Sequence, residues 1–380
     1  MNNEKKEKAA FIHAPGLSEF KFSPEHPFKP VRVEKVYEMC KGRGLLSDPS
    51  VAVIKIDEGK REDLESFHTS EYIDILERAG RGGEVDIDMI YHGVGTMENP
   101  IFNGLFRFCL LSVASTLEAV ERVVGGFKSA FNPCGGFHHA HSDRAGGFCY
   151  VNDAVIAIKK LKALGRRVAY VDIDAHHGDG VQEAFYDDPE VLTVSAHESG
   201  KTLFPWGGFE KEIGTGRGMG FNINIPLQLD TDDEVFTLLF DNIVIDSVKR
   251  FNPDVIVGQF GTDSSATDPL THLKMTNNGY IESIKLLHER FPKIVALGGG
   301  GYNMKDVVNG WTLLWSELSG LEQNSGYGGA IGGVLMGDSS IQGSDLRDMR
   351  SYVSGPAKED LMEGAEKLIS NYIKNIQPFL

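Results

Sequence analysis

The sequence predicts an α/β domain whose mostly parallel sheet carries helices on both faces. Six short runs rich in valine and isoleucine have the composition of buried strands. Longer stretches between them repeat apolar residues at the spacing of an amphipathic helix. This alternation is typical of a parallel sheet, because each crossover places a helix on a face of the sheet. The strand runs are residues 51–56, 168–173, 191–196, 221–226, 254–260 and 293–297, and the helical stretches are residues 152–164, 234–250 and 278–290.

No internal repeat and no linker divides the sequence, so we expect one domain. The two ends of the chain differ in composition. The lysine- and glutamate-rich start predicts a solvated tail over residues 1–20, followed by the domain over residues 21–380. Residues 325–345 are rich in glycine and serine, which predicts a loop. Residues 358–376 repeat apolar side chains at helical spacing and should form an amphipathic helix packed on the body.

Charge and composition argue against several classes of protein. The 380 residues carry a formal net charge of −16, which disfavours direct binding to nucleic acid phosphates. The acidity suits cationic partners such as lysine-rich peptides or polyamines, although solubility alone also explains it. No apolar run reaches the length of a membrane span, about 18 residues, and the first residues lack the apolar core of a secretory signal.

The spacing of the four cysteines suggests neither a zinc knuckle nor a disulfide framework. No two of them stand in a CxxC pair. We therefore expect free thiols in a reducing compartment, which favours a cytoplasmic location. The cysteines are Cys40, Cys109, Cys134 and Cys149.

A cluster of ionisable residues at the end of one strand run predicts a metal site. The sequence VAYVDIDAHHGDG contains Asp172, Asp174, His176, His177 and Asp179. Alternate residues of an extended segment point to the same side, so Asp172, Asp174 and His176 share one face. Carboxylates and an imidazole buried together would repel or desolvate one another without a cation. Oxygen and nitrogen ligands suit catalytic Zn²⁺, and also Fe²⁺ or Mn²⁺.

A further metal ligand is expected from another strand end. Catalytic zinc usually has three protein ligands, and Asp172 lies deeper in its strand than the other two candidates. The segment QFGTDSSATDP offers Asp263 and Asp268. Asp268 precedes a proline, and Asp-Pro commonly opens a turn, so we prefer Asp263.

Two other clusters contain candidates for proton transfer and for oxyanion stabilisation. His138 and His139 stand side by side in GGFHHA, where metal binding, proton transfer and a purely structural role are all open. Asp172 and Asp179 are the carboxylates available to fix their tautomers. Tyr302 follows four glycines in GGGGYN, where its hydroxyl could donate to an oxyanion or simply pack beside a glycine turn. The glycines complete no nucleotide-binding pattern.

Together these clusters resemble the zinc-dependent histone deacetylase family, including its bacterial and acetoin-utilisation-type members. The resemblance runs from about residue 22 to residue 320. It implies the arginase/deacetylase fold, a single α/β domain around a central parallel sheet of about eight strands flanked by helices. The matching motifs are HPFKPVR at 26–32, FHTSEYI at 67–73, GGFHHA at 135–140, GFCYVND at 147–153, DIDAHHGDGVQEAFY at 172–186, GTGRGMGFNINIPL at 214–227, QFGTD at 259–263 and GGGGYN at 298–303.

The resemblance implies roles for the catalytic residues. Its metal ligands would be Asp174, His176 and Asp263. The proton-transfer residues would be His138, backed by Asp172, and His139, backed by Asp179. His139 would be the general base and acid, and Tyr302 would stabilise the oxyanion.

Substrate and ion sites are implied in the same way. The walls of an acyl-lysine tunnel would be Gly147, Phe148, Phe204 and Leu270. Glu98, in a segment that departs from the eukaryotic pattern, would hold the substrate backbone at the rim, and Arg32 would line an acetate channel. One structural K⁺ site would use Asp172, Asp174, His176, Ser195 and Ala196, and a second would use Phe185, Asp188, Val191 and Phe221.

The implied reaction is zinc-dependent hydrolysis of an acyl-amide, with Nε-acetyl-lysine as the first candidate substrate. Acetylpolyamines and other small amides are alternative substrates. An arginase-like ureohydrolase and a non-catalytic acyl-ligand-binding protein are the alternative functions. The sequence determines neither the physiological substrate nor the oligomeric state.

Overall fold

Eight parallel strands form the central sheet of the structure, a computed structural model that describes residues 9–291, 293–322 and 345–380. The strands are β1 (Ala9–His13), β2 (Val51–Lys55), β3 (Ser129–Asn132), β4 (Val168–Asp172), β5 (Val191–Glu198), β6 (Asn222–Leu227), β7 (Val255–Gln259) and β8 (Ile294–Leu297). Their order across the sheet is β2-β1-β3-β8-β7-β4-β5-β6, and every neighbouring pair is parallel. The predicted α/β fold class is confirmed.

Helices cover both faces of this sheet. They are α1 (Arg32–Gly42), α2 (Arg61–Leu64), α3 (Ser70–Gly80), α4 (Ile87–Tyr91), α5 (Leu105–Val124), α6 (Asp153–Ala163), α7 (Asp179–Phe185), α8 (Asp233–Leu239), α9 (Asp246–Phe251), α10 (Asn277–Arg290), α11 (Met304–Ser319) and α12 (Pro356–Asn375). A π-helical turn, Phe240–Ile245, joins α8 to α9, and short 3₁₀ turns occupy Pro15–Glu19, Gly216–Gly218 and Gln377–Phe379. The four predicted helical stretches correspond to α6, the α8–α9 pair, α10 and α12.

The strands differ in burial: the edge strand β2 is open to solvent, whereas β6, at the other edge, is almost wholly buried. The six predicted strands are present, and the interior strands β4 and β7 are fully buried. The expectation that residues 51–56 form a buried strand is wrong, because β2 lies at the edge and pairs only with β1. An edge strand has solvent on one side, so Val53 is partly exposed.

The expected tail over residues 1–20 is also wrong in its extent. Residues 9–13 form β1, which is buried and pairs with β2 on one side and β3 on the other. The apolar run AAFIH contributes Phe11 and Ile12 to the core, which outweighs the charged residues before it. Residues 1–8, and residues 325–344 of the predicted loop, lie outside the described residues.

Capping side chains fix the start of the helices that flank the carboxyl edge of the sheet. Asn152 accepts a hydrogen bond from the Val155 N–H at the start of α6, and Asn303 accepts one from the Lys305 N–H at the start of α11. The Asn152 amide also donates to the carbonyls of His138 and Ala140, which anchors the loop after β3. No helix in the described part of the chain has both the length and the apolar character needed to span a membrane.

Candidate active site

The predicted site residues meet at the carboxyl ends of four adjacent strands, β3, β8, β7 and β4. The loop after β3 carries His138 and His139, and the loop after β4 carries Asp174 and His176. The loops after β7 and β8 carry the remaining site residues, Asp263 and Tyr302. Ligands of open parallel sheets bind at this edge, so the fold brings together segments that are far apart in sequence.

Asp174, His176 and Asp263 form a buried cluster that we call the metal triad. One potential ligand atom from each residue lies within 4.8 Å of the others. His176 Nδ1 is 3.2 Å from Asp174 Oδ1 and 2.9 Å from Asp263 Oδ2. Asp268, the competing candidate, lies outside this cluster and accepts hydrogen bonds from the backbone N–H groups of Leu270 and Tyr302.

Fixed donors orient the carboxylates of the metal triad. Asp174 Oδ2 accepts from the Gly300 N–H at 2.6 Å and from the Gln259 side-chain amide at 2.7 Å. Asp263 Oδ1 accepts from the Ala175 N–H at 2.8 Å. A Cβ at Gly300 would lie 2.1 Å from Asp263 Oδ2, so the backbone approaches the carboxylate more closely than any side chain permits.

The electrostatics of the metal triad fit a cation. Burial lowers the pKa of His176, but Asp174 and Asp263 outweigh it and raise that pKa to about 10. Burial and the Asp174 charge raise the pKa of Asp263 to about 7. Although burial opposes it, positive charge on His138 and His176 holds the pKa of Asp174 well below its usual range. Two buried carboxylates that face one imidazole therefore need positive charge at their centre, which a divalent ion would supply.

Each histidine of the adjacent pair has its own carboxylate. His138 Nδ1 lies 2.8 Å from Asp172 Oδ2, and His139 Nδ1 lies 2.7 Å from Asp179 Oδ1. The two Nε2 atoms are 3.0 Å apart. These are the pairings that the sequence analysis expected, and they direct both Nε2 atoms to the same space.

The two histidines differ in charge because their surroundings differ. Burial lowers the pKa of His138, but Asp172 and Asp174 outweigh it and raise that pKa to about 9. Burial and the positive charge of His138 lower the pKa of His139 to about 4. The surroundings of the two rings therefore favour the protonated form of His138 and the neutral form of His139.

Aromatic side chains form the walls above these groups. The Phe148 ring lies 5.7 Å from the Tyr302 ring, and the Phe204 ring lies 5.0 Å from the His139 ring. Gly147 fits between His139 and Phe204, since a Cβ there would lie 2.4 Å from the imidazole and 2.9 Å from the phenyl ring. Leu270 lies two residues after Asp268, whose carboxylate accepts hydrogen bonds from the backbone N–H groups of both Leu270 and Tyr302. Gly147, Phe148 and Phe204 therefore lie beside His139 and Tyr302, and the role of these residues and of Leu270 in a substrate tunnel stays a prediction.

Arg32 is buried behind the glycine turn that precedes Tyr302. Its guanidinium donates to the Gly301 carbonyl at 2.9 Å and to the Gly299 carbonyl at 2.6 Å, and it lies over the rings of Phe28 and Trp311. Burial lowers its pKa, against the raising effect of Tyr302 and the nearby acids. The guanidinium therefore supports the turn, and its role in an acetate channel stays a prediction.

Glu98 is exposed to solvent. Its backbone carbonyl is 3.0 Å from His26 Nε2, and the His26 ring lies 4.7 Å from the Phe148 ring. Only the backbone of Glu98 is tied to Phe148, through His26, and its carboxylate has no partner among the described residues, so its role at a substrate rim stays a prediction.

The residues of the two predicted K⁺ sites occupy two neighbouring regions. The register of β4 and β5 pairs Asp172 with Ser195. In the second region the Phe185 and Asp188 carbonyls accept from the N–H groups of Asp188 and Val191, while the Phe221 carbonyl accepts from Thr193. Both K⁺ sites stay predictions.

Sequence reasoning missed two residues that position the site. Gln259, the last residue of β7, is buried and donates to Asp174. Asp153, the first residue of α6, accepts from the N–H groups of Gly136 and Phe137 and so fixes the turn before His138. The signal for Gln259 was a polar residue at the end of the apolar run VIVGQ, and the signal for Asp153 was an acid that follows the cap Asn152.

Comparison with known proteins then identifies the family. A sequence model described as the histone deacetylase domain matches residues 26–318, which is more than half of the chain. The chain belongs to the histone deacetylase family. Like other histone deacetylase family members, it is a hydrolase that acts on amides, and zinc dependence is a general property of the family.

Relatives of this histone deacetylase family protein align along most of its length. The acetoin utilization protein AcuC of Bacillus subtilis (strain 168) is 38% identical over 322 residues, which cover 83% of each chain. Histone deacetylase 9 of Arabidopsis thaliana is 35% identical over 311 residues, which cover 81% of this chain and 72% of the relative.

Solved structures agree with the fold of this histone deacetylase family protein. A crystal structure of an HDAC homologue in complex with SAHA matches with a TM-score of 0.87 and 33% identity, over 96% of this chain and 100% of that chain. An HDAC homologue from Aquifex aeolicus matches with a TM-score of 0.86, the same identity of 33% and the same coverage. The expected histone deacetylase fold is confirmed.

Proposed function

We propose that this protein removes the acyl group from an acyl-lysine side chain, with acetyl-lysine as the foremost substrate. The convergence of the metal triad, two His–Asp pairs and Tyr302 at the base of one aromatic channel carries this proposal. An amide is a poor electrophile and water a poor nucleophile, so hydrolysis needs both charge stabilisation and a positioned base.

Asp174, His176 and Asp263 would hold the metal, since their donor atoms already face one another in a buried space. When bound there, zinc supplies a Lewis acid that polarises an amide carbonyl and lowers the pKa of a water molecule toward about 7. Fe²⁺ accepts the same mixture of oxygen and nitrogen ligands and is the alternative metal.

His139 is the proposed general base. Its Nδ1 lies 2.7 Å from Asp179, so the neutral ring donates there and leaves Nε2 as the acceptor toward the reacting groups. Burial and the neighbouring His138 lower the pKa of His139 to about 4, so the ring is neutral at neutral pH and this nitrogen can accept a proton from the attacking water. The same nitrogen then delivers the proton to the leaving lysine amine.

Tyr302 is the proposed oxyanion donor. Its ring lies 6.3 Å from the His176 ring and at right angles to it, at the base of the channel. Burial and the charges of Asp263 and Asp174 raise the pKa of the Tyr302 hydroxyl well above its usual range, so the hydroxyl keeps the proton that it donates to the oxyanion.

The channel walls favour a neutral acyl-lysine chain over a charged lysine. Phe148 and Phe204 offer apolar surface to the methylene groups of the side chain. A lysine freed of its acyl group becomes cationic and loses hydration energy in such a channel, which promotes product release.

A second reading, an arginase-like hydrolase, has weaker support. That chemistry generally uses two metal ions, whereas the described residues contain a single group of three metal-binding side chains. His138 and His139 direct their Nδ1 atoms to Asp172 and Asp179, outside that group. Counting the metal ions bound per chain distinguishes the two readings.

The proposed function is tested by acetate release from an acetyl-lysine peptide. We expect the zinc-loaded protein to release acetate, to lose activity when a chelator removes the metal, and to recover when zinc or Fe²⁺ is restored. Activity that survives complete metal removal, or hydrolysis of guanidino compounds in preference to acyl-lysine, would contradict the proposal.

A further inference from the structure

Glu198, the last residue of β5, carries a carboxylate that the proposed mechanism does not use. Its side chain is fully buried, with 0% of its surface exposed. A carboxylate is costly to bury unless donors compensate it, so its hydrogen-bond partners indicate its role. Those partners lie on two loops, residues 199–209 after β5 and residues 260–276 after β7.

Both oxygen atoms of the Glu198 carboxylate contact the loop after β7. Oε2 accepts a hydrogen bond from the His272 backbone N–H at 2.8 Å, and Oε1 lies 2.9 Å from His272 Nδ1. The Thr202 hydroxyl, on the loop after β5, donates to the same Oε1 at 2.9 Å. The carboxylate therefore joins the two loops, and we call Glu198, Thr202 and His272 the Glu198 bridge.

The backbone beside the Glu198 bridge is tied to the metal triad. The Glu198 N–H donates to the Ala175 carbonyl at 2.9 Å, and the Ala175 N–H donates to Asp263 Oδ1 at 2.8 Å. The hydroxyl of Thr271, next to His272, donates to the Asp263 carbonyl at 2.5 Å. The two loops therefore start from a common anchor beside Asp263.

Each of the two loops carries one of the residues predicted to line a substrate tunnel. Phe204 lies two residues after Thr202, and its ring lies 5.0 Å from the His139 ring. Leu270 lies two residues before His272 and is partly buried. The Glu198 bridge is therefore only two residues away from each of these predicted walls.

We propose that Glu198 is a positioning residue that holds Phe204 and Leu270 at the spacing that an acyl-lysine side chain requires. This inference rests on the proposed function, and Glu198 acts through the two loops rather than on the substrate. A loop that is already fixed loses less conformational entropy when a substrate binds. Loss of the bridge should therefore weaken binding and leave the chemical step largely intact.

The Glu198 bridge can be broken from either side. The His272 side chain is 61% exposed, so His272→Ala removes one partner of the carboxylate without opening the core. This variant keeps the backbone N–H that donates to Oε2. Glu198→Gln keeps the volume of the side chain but replaces one acceptor oxygen by an NH₂ donor, which cannot accept from the groups that face it.

The first test measures KM and kcat of the zinc-loaded protein on an acetyl-lysine peptide. Glu198→Gln and His272→Ala should each raise KM by about 3- to 10-fold, with kcat within about twofold of wild type and the zinc content unchanged. His272→Gln should recover most of the loss, because its amide keeps a donor at this position. The double variant should be no worse than Glu198→Gln alone, because both substitutions remove the same contact.

The second test measures the order of the two loops without turnover, by hydrogen–deuterium exchange in the zinc-loaded protein. Glu198→Gln and His272→Ala should each speed exchange in both loops, residues 199–209 and residues 260–276, because each loop is fixed by the other. Faster exchange in the loop after β7 alone would show that His272 does not hold the loop that carries Phe204.

Glu317→Gln is the matched control. His288 Nδ1 lies 3.2 Å from Glu317 Oε1, so this pair makes the same kind of contact between the last turns of α10 and α11. The control should keep the wild-type KM and the wild-type exchange in both loops. A rise in KM equal to that of Glu198→Gln would show that loss of any such contact weakens binding, and would overturn the inference.

The outcomes separate this inference from the proposed function. If Glu198→Gln and His272→Ala keep the wild-type KM, or lose kcat instead, the inference is wrong while the deacylase function stands. Unchanged exchange in both loops would also overturn the inference alone. If the folded, zinc-loaded wild type does not hydrolyse the peptide, the proposed function fails and the inference falls with it.

Discussion

The base and the mouth of the channel are built in opposite ways. In the metal triad each carboxylate is buried and accepts from a fixed donor such as Gln259, Ala175 or Gly300. In the segment of residues 84–98, by contrast, the side chains of Tyr91 and Met97 are 81% and 96% exposed to solvent. Breaking a buried charged cluster costs about 3–5 kcal/mol, whereas most exposed substitutions cost less than about 0.5 kcal/mol. Substitutions at the base should therefore cost far more stability than substitutions of these exposed side chains.

The largest effect should come from the base, with loss of one metal ligand. Asp263→Ala should remove zinc and lower deacylation by about 10³-fold or more for every substrate, because three protein ligands are the usual minimum for catalytic zinc. Zinc per chain, measured by plasma mass spectrometry, checks this. Asp268→Asn is the control and should keep zinc, since Asp268 lies outside the metal triad. Equal zinc in Asp263→Ala and wild type would show that Asp263 is not a ligand.

The next largest loss of activity should follow removal of the Tyr302 hydroxyl at the base of the site. Tyr302→Phe should keep the fold and the zinc but lower kcat by about 10²–10³-fold, the usual loss when an oxyanion donor is removed. The loss in kcat should be equal for a single-residue acetyl-lysine amide and for acetyl-lysine peptides, because the hydroxyl acts on the reacting carbonyl. Single-turnover rates of zinc-loaded protein test this, and a variant with wild-type kcat would remove Tyr302 from the mechanism.

A smaller loss of activity is expected from substitution of Gly147, which lies between His139 and Phe204. Gly147 has φ of +49°, and a Cβ there would lie 2.4 Å from the His139 ring. Gly147→Ala should therefore displace His139 or Phe204 and lower kcat/KM by about 10-fold or more. Gly165→Ala is the control, since Gly165 also has positive φ, +71°, but nothing lies within 4 Å of its Cβ position. Equal activity in the two variants would show that the close packing around Gly147 does not matter.

The smallest effect concerns His141, which lies behind the catalytic pair. Its Nε2 is 3.5 Å from Asp179 and its Nδ1 is 2.8 Å from Glu183. Burial lowers the pKa of His141, but Asp179 and Glu183 outweigh it and raise that pKa above the ordinary value. A raised folded-state pKa stabilises the protein below the unfolded-state value of about 6.5, and this stability is lost as pH rises through the folded-state pKa.

His141→Gln should accordingly lower the free energy of unfolding at about pH 5.5 by less than about 1 kcal/mol, since solvent at Glu183 screens the pair. At about pH 9 the variant and the wild type should be equally stable. Urea denaturation at both pH values measures the difference. A larger loss at the higher pH would contradict the assigned sign.

The alternation of strands and helices was largely predictable, because the spacing of apolar residues along the chain indicates which type of element forms. The strands β4, β5, β7 and β8 and the helices α6, α10 and α12 appear within a few residues of their predicted bounds. β1 was missed because its five apolar residues follow a lysine-rich start, and neighbouring strands 40 and more residues away decide its burial. β3 is only four residues long and begins and ends with polar side chains, so it gave little pattern.

The site was predictable where several ionisable residues cluster in sequence, as around Asp174 and His176. The choice of Asp263 over Asp268 depended on one proline, and the structure brings Asp263 into the metal triad. The contact of Gln259 with Asp174 and the pairing of His141 with Glu183 had no such signal. Both depend on how separate segments meet in space, which spacing along the chain does not encode.

The metal triad is tested most directly by a crystal structure of the zinc-loaded protein with anomalous diffraction data collected on both sides of the zinc absorption edge. We expect one strong zinc peak per chain, within coordination distance of Asp174, His176 and Asp263 and open toward Tyr302 and His139. A zinc peak elsewhere, or a second metal ion bound by His138 and Asp172, would contradict it.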